Sequence, residues 1–349
     1  MKTFFRVVKA VLFSYCIAPI SYVLSVATIV ACAVRFLLVF FSAQGGSDLR
    51  PLFSAVPYVS VLTVPLVVFR ARAFIADDSL PVASFTKLAA VTIASFCVFA
   101  FPLIALLAVP CAVQAFGDVE LGQLAASYLG VLLYGFAACA LVVFLFALCA
   151  GGDGTGGVGV ILPLFVSALV LLAVNSLHKL PLYVKPPALL SFLLQQLSFA
   201  WHFDAASKGV FDSRDLFFYL FASFDLLLLA SACEYRRTGR RISRLSAFLV
   251  ASICVTGGAA SYRLHARGDA TAARAFSLSA LSRELLAELD APLRITYYRS
   301  RELKQLYPQT NDVAEFLALY AGQGRRVSLQ IENADDGRNP DDAIQFVCR

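Results

Sequence analysis

Apolar residues run along this chain in long blocks, separated by polar or Pro/Gly-rich breaks. A helix needs roughly 20 residues to cross the hydrocarbon core of a bilayer. Seven blocks reach or approach that length: Ile20–Phe41, Pro51–Phe69, Leu88–Val109, Leu124–Ala150, Val158–Leu177, Leu216–Cys233 and Leu245–Tyr262. The pattern predicts a helix for each. Pro57 and Pro65 are expected to kink the second. Gly151–Gly157 reads as a tight interhelical connection. Pro187–Ala200, in the polar loop 178–215, reads as an amphipathic helix. Residues 3–18 carry Arg6 and Lys9 on an otherwise apolar segment broken at Pro19. That suits a short helix at the membrane surface, its cations reaching the headgroups. Ile29-Val30-Ala31-Cys32 imitates a lipoprotein cleavage box, but the apolar pattern continues to Phe41, so a retained first span is expected.

Beyond residue 263 the pattern changes. Ser279–Leu289 has a serine at the cap position and apolar residues at helical spacing. Pro292–Tyr298 alternates like a strand. Thr310–Gln323 reads as a second helix, with Asp312 and Glu315 at its positive N-terminal end. Val327–Ile331 reads as a second strand. Residues 263–349 are therefore expected to form a partial α/β domain.

Composition adds the class. Hydrophobic residues are 59% of the chain and charged residues 15%, which excludes an ordinary soluble globular protein. Most of the nine cysteines fall inside apolar runs, without a C-x-x-C pair, and read as small buried hydrophobes. Charge is informative by position. With the N-terminus in the cytoplasm, the inner segments hold Lys2, Arg6, Lys9, Arg70, Arg72, Lys87 and the cluster Arg236, Arg237, Arg240, Arg241 and Arg244. Outer loops hold Arg50, Lys179, Lys185, Lys208 and Arg214 over a greater length. The bias predicts an N-in multi-pass protein of the cytoplasmic membrane. Seven crossings then place the C-terminal domain outside. The arginine cluster reads as the topology determinant, with lipid headgroups or a cytoplasmic partner as alternatives.

Little else in the chain suggests chemistry. Arg35 and Asp225 are intramembrane charges expected at similar depth. Either they pair between the first and sixth spans, or Asp225 is protonated and Arg35 snorkels outward. The glycine run 151–157 lacks the order and the lysine of a phosphate loop. His178, His202 and His265 have no metal-ligand spacing. No catalytic residue, cofactor, metal or nucleic-acid partner is expected.

Four stretches carry a resemblance: Pro19-Ile20-Ser21-Tyr22; Phe116-Gly117-Asp118 through Gly135; His202-Phe203 through Asp212; and Arg214 through Leu220. In this order, over about residues 10–237, they resemble the ABC-2 class of transporter permease, and within it the gliding-motility-associated permease. Phe276–Ser279, Glu284–Leu286, Leu289–Pro292 and Val313–Tyr320 resemble the start of the auxiliary subunit that partners such permeases. The resemblance implies a mainly α fold. An interfacial helix over 1–19 would precede a six-helix permease bundle over 20–237. A basic linker and seventh transmembrane helix would occupy 238–262, and a partial periplasmic α/β domain 263–349. It also implies a separate ABC ATPase subunit, a second permease half (the same chain or a homologue) and surrounding membrane lipids as partners, with export the favoured direction. Arg70, Arg72 and Lys87 mark the loop expected to meet the ATPase. That loop departs from the family in lacking a Gly-Thr-containing acidic stretch. The alternative reading is a non-transporting structural or assembly protein of a cell-envelope complex. A membrane enzyme acting on lipid lacks an intramembrane constellation beyond Asp225.

Overall fold

The computed structural model describes residues 2–42, 49–77, 82–115, 117–149, 157–184, 187–237, 266–272, 274, 276–289, 291–299, 309–324 and 326–333. The chain divides into two compact units, Met1–Ala270 and Thr271–Arg349.

The first unit is mainly helical, and among the described residues six of its helical stretches are long and apolar enough to cross a membrane. Helix α1 (Lys2–Ile17) turns at Pro19 into α2 (Pro19–Ser42). Short α3 (Arg50–Ser54) leads into α4 (Val56–Arg70), and α5 (Arg72–Ala76) follows. Helix α6 (Ser84–Leu106) continues into α7 (Ala108–Gln114). Next come α8 (Leu121–Cys149) and α9 (Gly157–Ser176). A short 3-10 turn then leads to α10 (Leu180–Val184), α11 (Ala188–Gln196) and α12 (Phe199–Ser207). Strand β1 (Val210–Asp212) precedes α13 (Ser213–Arg237). This is the make-up of a multi-pass membrane protein, and six of the seven expected spans lie where the apolar blocks predicted them. The seventh, Leu245–Tyr262, lies outside the described residues.

The differences have local causes. The break in the second span falls at Ala55, with Pro57 in the first turn of α4, where a missing N–H costs least. Pro65 stays inside the helix. The expected helix Pro187–Ala200 holds the whole of α11, preceded by Pro187, but breaks at Leu197–Ser198, so that its last two residues already belong to α12. Helix α1 carries a stripe of buried residues, Val7, Val11 and Tyr15. Its Tyr15 hydroxyl is bonded to Ser95 of α6 at 2.8 Å, so α1 docks on the bundle and does not only rest beside it. Burial raises the Tyr15 phenol well above its ordinary pKa. Of the cysteines placed in apolar runs, Cys32 and Cys139 are buried, whereas Cys16 and Cys97 are exposed on the outer faces of their helices.

Helix α8 is the axis of the bundle. It packs against α4, α6, α9, α12 and α13. Small residues along it (Gly130, Gly135, Ala137, Ala138, Ala140) let these helices approach closely, the usual route to tight packing in lipid. A Cβ at Gly135 would stand 2.0 Å from the Phe99 ring of α6.

After α13 the described chain resumes at Ala266, and β2 (Arg267–Asp269) pairs antiparallel with β1. Ala266 exchanges two hydrogen bonds with Ser213, the first residue of α13. The chain thus leaves α13 at Arg237 and is back at the opposite end by Ala266. Gly209 makes the turn into β1 with φ of 86°, a conformation that favours glycine. This pairing is why the first unit closes at Ala270, later in the chain than the composition change suggested.

In the second unit, α14 (Ala280–Ala287) is capped by Ser279, whose hydroxyl accepts the Ser282 N–H at 3.0 Å. Strands β3 (Leu293–Arg299) and β4 (Val327–Asn333) pair in parallel, in register from Leu293↔Val327 to Arg299↔Asn333. Helix α15 (Gln309–Gln323) lies between them in the chain, as a parallel pair requires. The expected α-β-α-β order is present.

Gly135→Ala is expected to overpack the α8–α6 contact at a cost of about 1–3 kcal/mol. A lower thermal-aggregation midpoint of the detergent-solubilised chain reads this out, and an unchanged midpoint contradicts the close approach.

Candidate functional site

Two contacts between an acidic and a basic side chain sit at opposite ends of α13. At the Arg237 end, Glu234 pairs with Lys87 of α6, their side chains 7% and 2% exposed. The Lys87 ammonium also donates to the carbonyls of Ile75 (3.2 Å) and Asp77 (2.9 Å), beyond the second span. One side chain therefore ties the segment after α4 to α6 and α13. The pairing explains why α6 and α13 run past the apolar blocks: their charged ends are neutralised, so helix continues through them.

At the Ser213 end, His202 of α12 is buried and stacks on Phe218, ring centroids 3.8 Å apart. Its Nδ1 lies 2.6 Å from Asp215 Oδ1, and its Nε2 lies 3.0 Å from the Gln196 carbonyl. A carbonyl only accepts, so Nε2 carries a proton. A second proton then lies between Nδ1 and the carboxyl. Tyr219 donates to the Phe199 carbonyl at 2.6 Å and fastens α12 to α13 a second time. Beside this pair lies a cavity of about 250 Å³ between α8, α12, α13 and the β1–β2 ribbon, largely apolar and edged by Asp212 and Asp215.

Between the two ends lies a neutral polar knot. The Pro57 carbonyl of α4 accepts from Asn175 Nδ2 (2.6 Å), Ser60 Oγ (2.7 Å) and Tyr134 Oη (3.2 Å). Ser60 and Tyr134 also bond each other. Asn175 Nδ2 reaches Tyr134 at 3.0 Å. These side chains belong to the second, fourth and fifth spans and are at most 1% exposed. Ser198, bonded to His178 at 2.8 Å, extends the network toward α12. Each bond is worth about 0.5–1.5 kcal/mol net, whereas a buried group stripped of its partner costs about 1–3 kcal/mol. The knot fixes helix positions.

The residues singled out from the sequence fare unequally. Arg35 is exposed on α2, while Asp225 is half-buried on α13. Their helices are not packed together: α2 lies on α3, α4 and α6, and α13 on α8 and α6. The structure does not bring the two charges together. Arg70 and Arg72 are exposed, Arg72 held over the Phe69 ring at 4.2 Å. Lys87 is turned inward onto Glu234, so it is not presented to a separate chain with them. Arg236 is exposed and Arg237 ends α13; Arg240, Arg241 and Arg244 lie outside the described residues. Sequence reasoning missed Glu234, His202–Asp215 and the Asn175 knot. Glu234 was hidden among neighbouring arginines. His202 and Asp215 lay within resembling stretches, but nothing in their spacing marked a contact. Among the described residues no three His, Cys, Asp or Glu side chains gather to hold a metal.

Residues 272–347 match the family described as a domain of unknown function (DUF7088), which corresponds closely to the second unit. No curated protein and no solved structure matches the chain.

Asp215→Leu is expected to cost about 1–3 kcal/mol by leaving the buried His202 Nδ1 without its partner. Asp215→Asn should cost much less, because its amide donates to a neutral Nδ1. Unfolding midpoints in detergent check this, and equal losses in the two variants contradict the shared-proton geometry.

Proposed function

We propose that this chain is the membrane-spanning permease subunit of an ATP-driven ABC transporter, working in export, with ATP hydrolysed by a separate subunit. The observation that carries the reading is the order of elements: a docked N-terminal helix, six apolar spans, and a helical hairpin between the fifth and sixth closed by the Gly209 turn. The four resembling stretches fall on these elements. Pro19–Tyr22 opens α2, Leu121–Gly135 opens α8, and His202–Leu220 builds the hairpin and the start of α13.

The arrangement of membrane sides follows the Lys/Arg bias, with the Lys87–Glu234 end in the cytoplasm. What supports a further crossing is the return of the chain to Ser213. Helix α13 has 25 residues, roughly 37 Å at about 1.5 Å each, and Ala266 is tied to its far end. The second unit would then lie outside the cytoplasm. Transport needs no catalytic residue here. It needs two bundle states that ATP binding to a partner stabilises differently. Arg70 and Arg72 are exposed cations of the ATPase-facing loop, and Lys87 passes their displacement to α13. A second permease half completes the pathway.

The inward turn of Lys87 and the short loop favour one other reading: an envelope assembly protein that recruits no ATPase.

The purified chain is expected to hydrolyse no ATP and to co-purify from its own cells with a Walker-type ATPase. Arg70→Glu/Arg72→Glu should reduce that capture at least several-fold. Recovery of envelope proteins without an ATPase contradicts the transporter reading. Separately, cysteines placed at Phe211 and Gly268 should react with an impermeant maleimide in intact cells, and one at Tyr235 only after lysis. Reaction of the position-268 cysteine only after lysis contradicts the extra crossing.

A further inference from the structure

A lateral cleft of about 290 Å³ opens on the outside of the bundle between α1, α2 and α6. Leu12 and Cys16 of α1, Tyr22 of α2, and Cys97, Val98 and Phe101 of α6 form its walls. Its polar lining is hydroxyl, without a charge. Tyr15 and Ser95 bond each other, and Ser25 donates to the Ser21 carbonyl of its own helix at 2.9 Å. Tyr22 spans the Pro19 turn by donating to the Cys16 carbonyl at 2.9 Å and closes one side. The rim is open: Phe101 is 59% exposed.

Two cations precede the cleft on α1. Lys9 lies about one turn before Leu12 and Arg6 about two. Lys9, Leu12 and Cys16 are three and four residues apart and share one helix face. Arg6 and Lys9 are exposed, and among the described residues neither makes an ion pair or hydrogen bond. An apolar concavity beside unpaired cations has a definite complement. A sugar or peptide would leave its polar groups unsatisfied against these walls. A zwitterionic lipid would fill the cleft but gain less from two cations than a net anion does.

We propose that this cleft binds an anionic phospholipid, one acyl chain lying against α6 and the headgroup phosphate on Arg6 and Lys9. The lipid then bridges α1 to the third span, so docking of α1 responds to the charge of the surrounding leaflet. The inference needs only that the helices lie in a bilayer and is independent of transport.

The test uses the full chain in nanodiscs, with phosphatidylglycerol or phosphatidylcholine of identical chains, each carrying a photoreactive acyl group. Peptide mapping is expected to locate phosphatidylglycerol adducts on Leu12–Cys16 or Cys97–Phe101, several-fold above phosphatidylcholine. Arg6→Gln/Lys9→Gln should bring the two lipids to parity, and Arg6→Lys/Lys9→Arg should keep the preference. Cys97→Phe, which fills the cleft, should reduce adducts there for both lipids. Glycerol phosphate, a headgroup without chains, should not compete. Equal labelling by both lipids in the unaltered chain overturns the proposal and needs no variant to fold. So does labelling insensitive to Cys97→Phe in a monodisperse sample, or displacement by glycerol phosphate, which would mark a free-phosphate site.

Discussion

A charge placed among apolar helices must find its opposite at short range, because neither lipid nor close-packed side chains can solvate it. Lys87 and Glu234 meet that requirement in each other, and much of the rest follows. Their pairing lets α6 and α13 stay helical through their charged ends and sets those helices side by side. The two carbonyls that also bind the Lys87 ammonium draw in the segment after the second span. The segment after the second span, the start of α6 and, far along the chain, the end of α13 are thereby held at one end of the bundle.

Helix α13 transmits that restraint. One end carries Glu234. The other begins at Ser213, which is hydrogen-bonded to Ala266, and carries Asp215 against His202. Along its length it packs on α8, whose small residues allow close contact. A rigid rod fixed at both ends relates a displacement at Lys87 to the β1–β2 ribbon. The neutral knot at Pro57 holds the second, fourth and fifth spans together, whereas α13 is tied to α6 by Lys87–Glu234 and to α12 by His202–Asp215.

Much of the fold was legible because its signals are local. A long apolar run needs no knowledge of its neighbours to be read as a span, and the serine cap and alternating residues of the second unit are equally self-contained. The site was not legible, because its contacts join distant elements. Lys87 looked like a loop cation because it sits at the edge of an apolar block, and Glu234 looked like part of a charged linker. Asp225 attracted notice because it interrupts an apolar run, and depth alone suggested Arg35 as its partner. Depth does not say which helices are neighbours, and α2 and α13 pack on other elements. His202 was weighed as a metal ligand by spacing, when its partners are one carboxylate and one carbonyl.

The account rests on Lys87 and Glu234 acting as one buried pair, and a double-mutant cycle on the detergent-solubilised chain tests it most directly. Lys87→Met and Glu234→Met should each lower stability by about 3–5 kcal/mol, because each removes the opposite charge from a buried ion. The combined variant should recover most of that loss, falling short by what the two carbonyl bonds to Lys87 contribute. Additive losses in the combined variant would show that the two residues act independently and would contradict the account.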